Sequence, residues 1–227
     1  MPEPTAADYG WIRHSSPLFA YAMELGYSLT LVRGLTPAEL VERIAAEPLG
    51  TCHGSAELVE KSSEFMDDCG YMPESSLVGV CAVRDENGQP WSLALNFSGD
   101  LGVRPRLMEP LSTGTRAVTH SSNGGKPMDF FHWHENGELR ITFEHAARRE
   151  GSTPDALNIV LTDLGLDPYG DGDPNVDRKA AVLALTERLT RVRVTEALLQ
   201  EAEFELAELP EEPPEEWHGI TIDLRPH

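Results

Sequence analysis

The 227 residues carry 38 acidic against 18 basic side chains, a formal net charge of -20, with 40% hydrophobic and 25% charged residues. That is chain enough to bury a core, and so negative a surface excludes nucleic acid and anionic membrane as partners while leaving a basic protein open. No run approaches the roughly 18 apolar residues of a membrane span, and MPEPTAADYG at the amino end lacks the basic-then-apolar pattern of a signal peptide. The cysteines, Cys52, Cys69 and Cys81, are odd in number and widely spaced, so they read as reduced thiols of a cytoplasmic protein.

In chain order, residues 1–10 read as a loose tail, and Ser16-Pro17 starts a short helix closed by Gly26. Tyr27 to Val32 has strand composition. Thr36-Pro37-Ala38-Glu39 is a capping box with proline in the first helical position, and the helix it starts ends before Pro48. Leu58, Val59, Phe65, Met66 and Cys69 predict a second helix from about Ser55 to Cys69. Leu77–Val83 and Trp91–Phe97 flank a turn containing Asn87-Gly88, and the first of them, apolar on both faces, is expected to lie centrally in a sheet. A short helix over 105–112 and a strand over Thr115–His120 follow.

The clearest hairpin runs from Met128 to Phe143 around Asn136-Gly137. If those two residues alone form the loop, Trp133 faces Arg140 and Phe143 shares a face with His132 and His134. If the loop is Glu135-Asn136-Gly137 with Gly137 as a left-handed bulge, Phe131, Trp133, Leu139, Ile141 and Phe143 line one face. His132, His134, Glu138, Arg140 and Thr142 then line the other, which is expected to be solvated. The second register keeps the apolar set together and is the one predicted.

Beyond it, Ser152-Thr153-Pro154-Asp155 caps a helix ending at Gly165, Val182, Leu185 and Leu189 mark another, and Thr195 caps a third. From Glu196 to Glu216 there is no lysine or arginine; Pro210 to Glu216 reads as a tether, and Trp217 to Leu224 as an added strand or docking segment. The strands from Leu77 to Glu144 suggest a meander. The fold class is therefore α+β, an antiparallel sheet of five to seven strands with helices packed mainly on one face. A single domain spans 1–209, and 210–227 form the acidic tether and a short final segment.

The stretches SLTLVRGLTPAEL, PLSTGTRAVTHSSN, FHWHENGELRITFE, GSTPDAL and ALTERLTRVRVTEALL occur in that order. Over roughly residues 27–209 the chain resembles an uncharacterised family of soluble proteins from high-GC bacteria, a domain of unknown function. The resemblance implies no activity, cofactor or catalytic residue.

Candidate chemistry is sparse. His132 and His134, two apart on a strand, point the same way and are the best metal candidates; zinc there requires a further ligand, for which Glu138 opposite His134, or His120, would serve. A solvated face with cross-strand pairs such as His132 with Arg140 explains them as well. Asp171 to Asp177 imitates the first half of an EF-hand loop, but Val176 and Val182 stand where glycine and glutamate are required, so Asp177 is read as a helix cap. Cys52-His53 is a poor nucleophile–base pair because neighbours on a strand face opposite sides. No Gly-x-Ser-x-Gly or His-Glu-x-x-His occurs. The expectation is a protein-binding module without catalysis or cofactor, of the immunity or inhibitor kind. It would engage a basic partner through Glu201, Glu203, Glu205, Glu208, Glu211 and Glu212; a metal-dependent enzyme or sensor using His132 and His134 is the alternative.

Overall fold

The amino-terminal residues are anchored in the computed structural model: Ala6–Arg13 forms a 3-10 helix with Thr5 and Asp8 as a capping box. Tyr9 and Ile12 are buried, and the Tyr9 hydroxyl donates to Glu187 at 2.7 Å. The loose tail expected at residues 1–10 is thus corrected, because those two side chains bury against a helix near the other end of the sequence. The structure describes residues 3–14, 19–20, 22–23, 26–69, 76–97, 101–123, 128–170 and 172–211. The Ser16-Pro17 helix start, the end of the acidic stretch at Glu212 to Glu216, and Trp217 to Leu224 lie outside them.

After β1 (Gly26–Arg33), α1 (Pro37–Arg43) starts on the expected capping box: Thr36 accepts from the Glu39 backbone while the Glu39 carboxylate takes the Thr36 N–H at 2.8 Å. β2 (Glu47–His53) and α2 (Gly54–Cys69) follow, then the hairpin of β3 (Ser76–Arg84) and β4 (Pro90–Asn96). α3 (Pro105–Ser112) leads into β5 (Arg116–Asn123), β6 (Met128–Glu135) and β7 (Glu138–Phe143). α4 (Asn158–Asp163), α5 (Arg178–Thr190) and α6 (Glu196–Glu201) precede β8 (Glu203–Leu209). Asp177 and Thr195 cap α5 and α6 as expected, accepting from Ala180 and Leu198. Among the described residues no helix is long and apolar enough to cross a membrane.

Among the described residues the sheet has eight strands in the order β2-β8-β3-β4-β1-β5-β6-β7, antiparallel throughout. This exceeds the five to seven expected, because β2 and β8 carry too much glycine, proline and glutamate to read as strands. It is also not the expected meander: β1 inserts between β4 and β5, and β8 between β2 and β3.

Helices cover both faces rather than mainly one. On the first face Leu29, Leu31, Leu93, Phe131 and Phe204 pack against residues of α2 and α5, including Leu58, Ala181 and Leu185. On the second, Val32, Val78, Val80, Ala94, Ala117 and Ala207 pack against α1 and α3 through Leu40, Val41, Leu107 and Leu111. The physical reason lies in β3 and β4: with Cys81 and Val83 on one side and Val78 and Val80 on the other, a one-sided layer would leave an apolar surface in water. Cys81 packs as a small hydrophobe, and burial pushes its thiol up to about 12.

The β6–β7 hairpin satisfies both of its local signals at once. Glu135 pairs with Glu138, so the loop is Asn136-Gly137 alone, with φ of 56° and 80°, the two positive values a type I′ turn requires. The register then shifts by one between Trp133 and His134. Beyond the shift Trp133 pairs with Ile141 and Phe131 with Phe143, leaving Arg140 as the extra residue of a β-bulge. The predicted three-residue loop is therefore wrong, yet the apolar face it was meant to preserve survives.

Candidate functional site

Period-two alternation places His132 and His134 on the second face of β6, as their spacing requires. Their rings stack with centroids 6.5 Å apart, and His132 Nδ1 is hydrogen-bonded to the Thr142 hydroxyl at 2.9 Å. The face is not solvated: His134 is only 5% exposed, since α3 lies over this part of the sheet. Burial pushes both imidazoles down to about 4, with the neighbouring His134 adding to the effect on His132, so both are neutral at pH 7. The proposed third ligands are elsewhere. Glu138 pairs with Glu135 while Leu139 stands opposite His134, and His132 meets Thr142 rather than Arg140. His120 pairs with Phe131 and so belongs to the first face. Among the described residues no group of three or more His, Cys, Asp or Glu is placed to hold a metal ion.

On the first face, β1, β5, β6 and α5 bring together a polar network that the sequence reading did not assemble. The fully buried His120 is hydrogen-bonded through Nδ1 to the Tyr27 hydroxyl at 3.1 Å, and its Nε2 faces Asp129 Oδ1 at 3.5 Å. Lys179, buried on α5, donates to the Ser122 hydroxyl at 3.1 Å and lies 4.0 Å from Asp129 and 5.2 Å from the centre of the Tyr27 ring. Burial lowers the pKa of His120, opposed by Asp129. Burial pushes Asp129 up, but its bond to His120 and the charges of His120 and Lys179 outweigh this and hold it at about 2. The order tyrosine–histidine–aspartate resembles a proton relay, but His120 has no exposed surface from which to act on a substrate. It is a buried network tying α5 to the sheet. The readable signal was alternation: His120 and Ser122 share a face with Val118, which is a core position.

The acidic residues singled out from sequence are dispersed by the same alternation. Glu201 is exposed at the end of α6, and Glu203 bonds His53 Nδ1 at 2.8 Å. Glu205 and Glu208, both half-buried, lie on opposite faces of β8: Glu205 follows Ala207 on the second, while Glu208 pairs with Leu77 on the first. Glu211 is exposed beyond the strand, where its carbonyl accepts from Arg106 at 2.7 Å, and Arg104 holds the Pro210 carbonyl at 3.0 Å. Glu212 lies outside the described residues. Glu205 also borders an open cavity of about 690 Å³ between α1 and the β2–β8 end of the sheet, with Val41, Glu42, Ala45, Pro48 and Thr51 among its walls.

A model of a family of unknown function, DUF6461, matches residues 2–214. The chain belongs to this family. No curated protein and no solved structure matches it. The DUF6461 match is longer than the 27–209 over which the resemblance was read, and it includes the amino-terminal 3-10 helix as well as the whole of β8. Cys52 and His53, adjacent on β2, make no pair: the thiol is buried and pushed up to about 11, while the His53 ring is exposed on Glu203.

Proposed function

We propose that this DUF6461 chain is a non-catalytic protein-binding module, of the immunity or inhibitor kind, that engages a basic protein through its acidic surface. The observation supporting this is how the cations are spent. Arg13 pairs with Asp177 at 3.0 Å, Arg116 with Glu135 at 2.8 Å, Arg149 with Asp155 at 3.0 Å and Arg193 with Asp8 at 3.1 Å. Arg188 and Arg191 both reach Glu3, at 3.9 and 3.4 Å. With 38 acids against 18 bases and these bases already committed, the excess carboxylates face solvent and set the long-range field. Such a field accelerates encounter with a basic surface and is screened beyond about 10 Å at 0.1 M salt. The histidines add no competing reading of comparable support, since among the described residues no third His, Cys, Asp or Glu is placed beside them to hold a metal ion.

The test uses a basic protein encoded beside this chain's gene. Association is followed by stopped flow at several salt concentrations, for the natural chain and for one with Glu201, Glu203, Glu205, Glu208, Glu211 and Glu212 all changed to Gln. A slower on-rate and shallower salt slope are expected, and unchanged values reject the role of these residues. Stoichiometric zinc in the purified chain by elemental analysis would replace this reading with a metal-dependent one at His132 and His134.

A further inference from the structure

The second face of the sheet is left incompletely roofed at one end. α1 packs over β3, β4 and β8, and β2 lies beyond β8 as the outermost strand. Along β2 every residue from Glu47 to His53 is exposed except Cys52. The pairing of β2 with β8 shifts between Pro48 and Gly50, which leaves Leu49 out of register and 47% exposed. Small residues open the space further, since α1 is followed by Ala45, in a left-handed turn at φ 54°, and Ala46. The result is the groove of about 690 Å³, within the size of known ligand sites. Its walls are chiefly apolar, from Val41, Ala45, Ala46 and Pro48. Among the described residues its charged lining is Glu42 and Glu205, with no lysine or arginine.

We propose that this groove docks an extended segment of a partner protein in which basic and apolar side chains alternate. The basic groups would reach Glu42 and Glu205, and the apolar ones the wall made by Val41, Ala45 and Ala46. An extended segment fits because the groove runs beside an edge strand, where peptides commonly lie parallel or antiparallel to the sheet. A second copy of this chain is the poorer occupant, since it brings the same charge of -20 to an acidic site. The proposal rests on the acidic-module reading and gives it a location: apolar floor for affinity, two carboxylates for selection of charge.

The test titrates the isotopically labelled full chain with a blocked synthetic peptide of alternating lysine and valine, followed by amide chemical shifts. A peptide of alternating glutamate and valine serves as the control. The lysine peptide is expected to shift amides of residues 38–51 and 205–206, and the glutamate peptide to leave them unmoved. Glu42→Gln with Glu205→Gln should weaken binding about tenfold, whereas Glu60→Gln with Asp67→Asn on α2, which removes the same charge on the other side of the molecule, should change it less than about twofold. Equal weakening by the two pairs overturns the groove and leaves the acidic surface as a diffuse attractor, an outcome separate from loss of the partner's on-rate effect. Shifts confined to other residues, or no binding of the lysine peptide, also overturn it. So does movement of the groove amides when Trp217, Ile220 and Ile222 are changed to Ser without any peptide, because the chain's own later residues would then be the occupant.

Discussion

At the β7 end of the sheet the chain turns back over its own edge, and among the described residues it does not do so at the β2 end. Thr142 and Glu150 exchange both backbone hydrogen bonds at 2.9 Å, and the amides of Ser152 and Thr153 donate to the carbonyls of Leu139 and Arg140. At this end Phe131, Ile141, Phe143, His134 and Trp133 are buried, with His132 half-buried and the guanidinium groups of Arg116 and Arg140 at 5.2 and 5.9 Å from the Trp133 ring. The β2 end instead carries exposed side chains, a proline and a register shift, devices that discourage accidental strand pairing without covering the edge. One end spends its hydrogen-bonding capacity on stability, and the other retains a surface.

The contrast breaks most severely at Trp133. Trp133→Ala should lower stability by about 3–5 kcal/mol, the range for truncating a core aromatic, read from urea midpoints. A loss below about 1 kcal/mol would show that the sealed end is not a packed core.

Acid should find the same end. His132 and His134 are held at about 4 in the folded chain against 6.5 in the unfolded one, so the unfolded state binds more protons between those values. Their contribution is fully present above pH 6.5 and declines as pH falls toward 4, with a slope approaching about 2.7 kcal/mol per pH unit when both take up protons. His132→Gln with His134→Gln should flatten that slope without abolishing it, since burial depresses His120 too. An identical pH profile in the double variant would mean that the two rings titrate normally.

The closing segment itself is tested at Gly151. Its φ is 118°, and a Cβ there would lie 2.4 Å from the Arg140 carbonyl oxygen. Gly151→Ala is expected to cost about 1–3 kcal/mol and to speed amide exchange at Thr142 and Thr153 while leaving β2 unaffected. Unchanged protection along β7 would contradict the seal.

At the other end the effect should be smallest. Leu49→Ala removes an exposed side chain outside the register and should change thermal stability by less than about 0.5 kcal/mol. A larger loss would place Leu49 in a contact and make the open end less open than described.

What the sequence by itself determined were the features whose causes lie within a few residues. Thr36 with Glu39, Asp177, and Thr195 each cap the helix they announce; Asn136-Gly137 turns the hairpin; the apolar spacing from Leu58 onward gives α2. Even where two local signals conflicted, at Asn136-Gly137 and the apolar face of β7, both were correct, and a bulge at Arg140 reconciled them at a distance no turn rule covers. The tertiary structure decided everything that depends on a distant neighbour. Glu-Phe-Glu-Leu-Ala-Glu-Leu becomes an inner strand only because β2 and β3 supply partners on both sides. Thr119, His120, Ser121 and Ser122 look like an edge and are buried, because β1 and β6 flank them and helices roof both faces. His132 and His134 were legible as a pair on one face, but whether that face meets water or α3 is a long-range fact, and it alone sets their charge. The groove beside β2 is of the same kind: Glu42 and Glu205 are far apart in the chain, and only the placement of α1 against the sheet brings them to one opening.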